Sequence, residues 1–197
     1  MGFVSVLAFA QKLAGERLQP GEPAVDATAG SGVDTLFLAQ KSGPRGTVYA
    51  FDVQQEALER SRQRLAGQAG TAEVKLFGLS HHRMEEAVDP AHHGKLAAVM
   101  FNLGYLPGGS DSRLITVPET TIPALAAACR LLRPGGVLTA VLYPGHAGGD
   151  LEAAAVQNWA ERLPGEAFEA MVYRFVNRPA AAPYLLAVTK RSSAGSK

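Results

Sequence analysis

Residues 23–39 read PAVDATAGSGVDTLFLA, and the order of residue types in them decides the fold. A short apolar run, Ala24 to Asp26, stops at a glycine-rich turn. Val33, Leu36, Phe37 and Leu38 then recur at helical spacing. This is a buried strand turning tightly into a helix. Gly30 and Gly32 let the backbone turn sharply and approach a ligand with no Cβ in the way. The helix beyond them, opened by Asp34 and Thr35, offers free N–H groups and a positive dipole end.

The same unit recurs along the chain. GTVYAFDV (46–53) is a second strand ending at Asp52, and QQEALERSRQRLAGQ (54–68) a helix of strong formers. AEVKLFG (72–78) is a third strand and HHRMEEAV (81–88) a short helix. KLAAVMFN (95–102) is a fourth strand, followed by the helical TTIPALAAACRLLRPGG (120–136), which Pro134-Gly135-Gly136 stops. VLTAVLY (137–143) is the fifth strand, and GGDLEAAAVQNWAERLPG (148–165) a helix capped by its Gly-Gly-Asp. FEAMVYRFVN (168–177) and PYLLAVTKR (183–191) leave no room for a helix between them, so they form an antiparallel pair.

Strands alternating with helices imply a parallel sheet covered on both faces. With the closing hairpin, this is the element order of class I S-adenosylmethionine-dependent methyltransferases. The expectation is a Rossmann-like α/β domain over 1–197: a seven-stranded, mostly parallel sheet, an N-terminal helix within 1–20 and a frayed tail at 192–197. The ligand should lie beyond the carboxyl ends of the strands, at the switch point beside the first.

With 197 residues, 47% apolar and 19% charged, the chain has the composition of a folded globular protein. A formal net charge of +1 argues against a strongly basic nucleic-acid coat. The single cysteine, Cys129, excludes an internal disulfide and a cysteine-based zinc site, and suits a reducing compartment. MGFVSVLAFAQKLAG lacks the basic start of a signal peptide and is too short to span a bilayer. Val6 breaks the myristoylation pattern. The protein is expected to be cytoplasmic, with no membrane partner. Neighbouring histidines (His81, His82, His92, His93) do not converge on one ion, and no metal is expected.

The first loop favours one ligand over another. Thr35 stands where a dinucleotide fingerprint has its third glycine. Asp26 would repel a pyrophosphate but could hold the ammonium of a methionine moiety. Asp26, Thr28, Gly30, Ser31, Gly32, Asp34 and Thr35 are therefore candidate cofactor residues. Asp52, with Val53 and Gln54, can accept both hydroxyls of a ribose, in adenosylmethionine as in NAD, and can also cap the helix that follows. Ser80 or His81, after the third strand, could bond the edge of an adenine.

FNLGYLPGG (101–109) leaves the fourth strand where the transferable methyl would lie. Methyltransferases acting on planar or exocyclic amines carry Asn-Pro-Pro-Tyr there, and NLGY is similar at both ends. An asparagine oxygen can accept the N–H bonds of an amine and so aim its lone pair. Asn102 is the principal catalytic candidate and is also counted among the candidate cofactor residues. Tyr105 could stack on a target base, and His146, in YPGHAGG (143–149), could shape the pocket or accept a proton. Each loop could also be a plain turn.

VDATAGSGVDTLFLA, FDVQ, FNLGYLPGG, YPGHAGG and FVNRPAAAPYLLAVTK together resemble the small bacterial methylases labelled rRNA methylases. The resemblance runs over nearly the whole chain. It implies S-adenosylmethionine as cofactor and, from characterised relatives, the aminomethyl group of 5-aminomethyl-2-thiouridine at the tRNA wobble position as substrate. An rRNA base, a small-molecule amine, or a non-catalytic nucleotide- or RNA-binding module are the alternatives. Leu103 and Gly104 replace the two prolines, leaving a less rigid loop. Basic residues for the anticodon stem-loop are scattered. Arg60, Arg62 and Arg64 alternate on one helix and read as solvated surface. Arg113 follows the Asn102 loop, and Arg174, Arg178, Lys190 and Arg191 sit on the hairpin. With so little excess charge, a homodimer would extend the RNA surface.

Overall fold

The computed structural model of the protein describes residues 2–109 and 114–192. Seven strands form one sheet in the order β3-β2-β1-β4-β5-β7-β6. They are β1 (Ala24–Asp26), β2 (Thr47–Phe51), β3 (Glu73–Phe77), β4 (Leu96–Leu103), β5 (Leu132–Leu142), β6 (Phe168–Tyr173) and β7 (Tyr184–Lys190). β1 to β5 run parallel, and β7 pairs antiparallel with both β5 and β6. The expected sheet and closing hairpin are both present.

Helices cover both faces. α1 (Val6–Arg17) and α2 (Val33–Ser42) pack on one, with α3 (Gln55–Leu65) beside α2. α4 (Met84–Ala87), α5 (Pro118–Leu131) and α6 (Gly149–Glu161) pack on the other. A strand covered on both sides has no polar face to offer, which is why Leu96 to Phe101 of β4 is an unbroken buried run. Tyr49, Phe51 and Phe101 are among the largest fully buried side chains. Each contributes on the order of 2–3 kcal/mol by leaving water.

Two expected boundaries move. The helix before β5 ends at Leu131, before Pro134, and β5 begins at Leu132 and runs through Pro134-Gly135-Gly136. The β4–β5 register shifts between Leu96 and Ala98. A Cβ on Gly136 would stand 2.8 Å from the Leu96 carbonyl, so Gly136 serves close strand approach rather than helix termination. α6 is capped by Gly148 in a left-handed conformation, with no side-chain cap from Asp150.

β1 pairs with β2 on one side and β4 on the other. The connections after β1 and β4 therefore leave toward opposite faces, and a crevice opens at the ends of these three adjacent strands. Residues 193–197, which include most of the tail expected to fray, lie outside the described residues, as does Arg113. Among the described residues, no helix is long and apolar enough to cross a membrane.

Candidate active site

The crevice is a cavity of about 640 Å³ at the carboxyl ends of β2, β1 and β4. Its wall includes Thr28, Gly30, Ser31, Asp34, Asp52, Val53, Gln54, Ser80, His81, Asn102 and Tyr105. Residues from four separate stretches of sequence thus meet in one place. The strand ends that supply Asp52, Thr28 and Asn102 are neighbours, so the cavity floor is about 10 Å across.

Asp26 is not in that wall. It is 1% exposed and lies beneath the first loop, where its Oδ2 accepts from Thr35 Oγ1 at 2.6 Å and its Oδ1 from the Thr28 N–H at 3.1 Å. Burial pushes its carboxyl up to about 7, and the neighbouring Asp34 charge adds to the rise. Its place is under the cofactor loop, not against the ammonium. Thr35 is likewise buried. The carboxylate that does face the cavity from this helix is Asp34.

Asp52 ties two strand ends together. Its Oδ2 accepts from the Gly30 N–H at 3.0 Å and its Oδ1 from the Gln54 N–H at 2.9 Å. α3 starts after Gln54, so Asp52 does not cap it. The Val53 backbone bonds the carboxylate as well, which leaves it one lone pair for a hydroxyl in the cavity. Gly32 has a reason that the turn alone does not supply. Its φ is +76°, and a Cβ there would lie 2.8 Å from Ser61 Cα of α3. The glycine is where α2 and α3 touch.

His81 is buried against Phe101, with ring centroids 5.7 Å apart. One ring nitrogen serves the Ala27 backbone, and burial lowers the imidazole pKa to about 4. The ring is therefore neutral, and its other nitrogen, Nε2, is a buried acceptor with no partner among the described residues. Ser80 is less free, since its Oγ engages His82 Nδ1 at 2.9 Å.

Asn102 is held on both sides. Its backbone N–H donates to Thr28 Oγ1 at 2.7 Å, and its side-chain Nδ2 donates to Asp34 Oδ2. Asn102 Oδ1 is buried and has no partner among the described residues. Asp34 Oδ1 accepts in turn from Gln11 Nε2 of α1 at 2.7 Å. Gln11 and Leu7 of α1 are part of the cavity wall, a contribution absent from the sequence reading. Their i, i+4 spacing places them on one face of α1, but nothing local says what that face meets.

The loop after β4 is stitched to its own return. Tyr105 bridges Ile115, and the Thr116 N–H donates to the Gly104 carbonyl at 2.8 Å. Thr116 Oγ1 and Thr121 Oγ1 donate to the buried Glu152 of α6 at 2.7 and 2.6 Å. A Cβ on Gly104 would meet His146 Nε2 at 3.3 Å, and its φ of +158° is far from the value a proline ring imposes. The glycine that stands in place of the second proline therefore reflects backbone shape and the packing of His146. His146 lies behind this wall, its ring T-shaped to Tyr105 at 5.7 Å. Its Nδ1 donates to the Ala147 carbonyl at 3.1 Å. It supports Tyr105 rather than facing the cavity.

Two buried acceptors with no partner among the described residues, His81 Nε2 and Asn102 Oδ1, thus belong to residues that line a cavity also lined by Asp52. They suit a ligand with an amino-bearing base, a ribose, and a second reactant bearing N–H. That fits adenosylmethionine with an amine. Among the described residues no group of three or more His, Cys, Asp or Glu could hold a metal ion.

The family described as “Putative rRNA methylase” matches residues 48–189. The chloroplastic tRNA (mnm(5)s(2)U34)-methyltransferase of Arabidopsis thaliana is 40% identical over 184 residues, 89% of this chain. The chain spans 66% of that relative's length. A crystal structure from Clostridium thermocellum, described as an rRNA-methylase, superposes with a TM-score of 0.90 at 34% identity, covering 96% of this chain and 100% of that one. A Streptococcus mutans protein described as a methyltransferase, solved in complex with SAH, gives 0.83 at 32% identity, covering 96% and 99%.

Proposed function

Since this chain belongs to the rRNA methylase family, with the Rossmann-like methyltransferase fold of its relatives, we propose that it is an adenosylmethionine-dependent tRNA methyltransferase acting at the wobble uridine. The target is the exocyclic aminomethyl nitrogen of 5-aminomethyl-2-thiouridine in the anticodon stem-loop. Residues 1–197 act as one methyltransferase domain, cytoplasmic in location.

The observation that carries this reading is Asn102 Oδ1, a buried acceptor of a cavity-lining residue with no partner among the described residues. It asks for an N–H donor, and a primary amine supplies one while keeping a lone pair for attack. When bound, the cofactor supplies a methyl group on a sulfonium that departs as a neutral thioether, so the protein need form no covalent intermediate. Asp52 holds a ribose hydroxyl, His81 Nε2 accepts from the adenine amino group, and Asp34 keeps the Asn102 oxygen turned inward. Tyr105, braced by His146, closes over the target base. Catalysis is then mostly positioning.

Nucleoside mass spectrometry of tRNA from cells lacking the protein tests the substrate. The methylaminomethyl form should fall and the aminomethyl form accumulate. An unchanged pair, with methylation lost from rRNA instead, would move the target. A formal charge of +1 leaves one copy a modest RNA surface, and a homodimer would enlarge it. A stable monomer in sedimentation that still binds tRNA tightly would dispose of the dimer.

A further inference from the structure

A second cleft, of about 510 Å³, lies beside the cavity and is lined by Ser31, Leu36, Arg60, Gln63, Arg64 and Gln68. Among the described residues, its polar lining consists of two guanidiniums, two carboxamides and one hydroxyl, with no carboxylate. Ser31 lines both this cleft and the cavity. Arg60 and Arg64 are four residues apart on α3, so they share one face of the helix. Arg62 points elsewhere and pairs with Glu59 at 3.3 Å. The three arginines are thus not equivalent surface charges, as their alternation suggests.

The two arginines have different duties. Arg60 donates to the carbonyls of Pro107 and Gly108 and pairs with Glu56 at 2.5 Å. Its charge is balanced and its donors hold the loop that carries Tyr105. Arg64 spends Nε on the Ser31 carbonyl at 2.6 Å, which anchors the guanidinium and leaves its terminal nitrogens unspent. Among the described residues, Arg64 has no carboxylate partner. A planar, anchored cation whose two terminal nitrogens have no partner among the described residues is a receptor for a tetrahedral oxyanion.

We propose that this cleft binds a backbone phosphate of the RNA whose modified nucleotide enters the active-site cavity. The inference rests on the function proposed above. Adenosylmethionine carries no phosphate, so the cofactor does not account for an anion receptor here. No aromatic side chain lines the cleft, which argues for a phosphodiester rather than a stacked base. Because Arg60 reaches from the same helix face to the Pro107-Gly108 turn, an RNA strand seated on Arg64 runs alongside the loop that receives its target base.

The test is binding of a tRNA anticodon stem-loop as a function of salt by the wild type, Arg64→Gln and Arg62→Gln. Arg64→Gln should weaken binding about fivefold and reduce the slope of log K against log[salt] by about one, the signature of one lost phosphate contact. Arg62→Gln should change neither. Thermal stabilisation by adenosylmethionine should be the same in all three proteins. A wild-type slope retained in Arg64→Gln overturns the phosphate site and leaves the RNA substrate standing. So does loss of cofactor stabilisation in Arg64→Gln, which would assign Arg64 to holding Ser31. A wild type that responds to adenosylmethionine but binds no RNA defeats the substrate reading, and the phosphate site with it.

Discussion

Asn102 and Asp34 form a one-way pair: the Asn102 amide nitrogen donates to the Asp34 carboxylate, and the Asn102 oxygen is left buried with no partner among the described residues. A carboxylate can only accept, so Asp34 dictates which end of the amide faces the cavity. A hydrophobic or amide neighbour would leave both orientations open.

Removing the oxygen should cost turnover more than cofactor binding. Asn102→Ala is expected to lower kcat for methyl transfer by about 10²-fold, the order seen when a positioned polar group at the reacting centre is lost. Calorimetry should show cofactor affinity within a few-fold of wild type. A collapse of affinity with kcat intact would make Asn102 a cofactor ligand.

Asp34→Ala tests whether Asp34 works through Asn102. The single change should lower kcat by about tenfold, and in the Asn102→Ala background it should add little, because the two residues act as a unit. Fully additive losses in that double-mutant cycle would mean that Asp34 contacts the reactants independently.

Much of this site was legible because its residues stand at strand ends. The turn after Asp26, the acid closing the second strand and the Asn102 loop announce themselves where an apolar run stops. Two roles were misassigned for one reason. Asp26 and His146 are polar residues beside glycines, and a linear pattern does not tell which lines a cavity and which lies behind it. Leu7, Gln11 and Glu152 escaped altogether, since their partners are 23 or more residues away and only the folded sheet brings α1 to Asp34 and α6 to Thr116. The end of α5 was misplaced because glycine next to proline signals a break in local conformation. Here Gly136 permits two strands to approach.

Gly32→Ala should destabilise the fold by about 2–4 kcal/mol, combining a positive φ with a Cβ pressed into α3. Urea unfolding measures it directly. At Gly67, whose φ is +74°, a Cβ would meet nothing within 4 Å, so Gly67→Ala should cost only the conformational part, about 1–2 kcal/mol. Equal losses at both positions would remove the α2–α3 contact as the explanation.

The buried Asp26 carboxyl, raised from 3.8 to about 7, makes stability depend on pH with a definite sign. The folded state holds this proton more tightly than the unfolded chain. The stabilisation is complete below about pH 4 and is lost as pH rises through about 7, with a slope approaching about 1.4 kcal/mol per pH unit between them. Asp26→Asn removes this dependence. The variant should therefore gain on wild type in denaturant midpoint as pH rises from 4 to 8. A constant difference across that range would show that Asp26 is already ionised at the acid end.

Glu152 has a consequence for how this scaffold can diversify. It moors the return of the Asn102 loop to α6 through Thr116 and Thr121, while Asp52 fastens the Gly30 turn to the end of β2. The two walls of the cavity hang from different beams. A graft that exchanges residues 103–117 together with Thr121 and Glu152 carries its own mooring, so one reactant can be replaced while the cradle for the other is inherited unchanged.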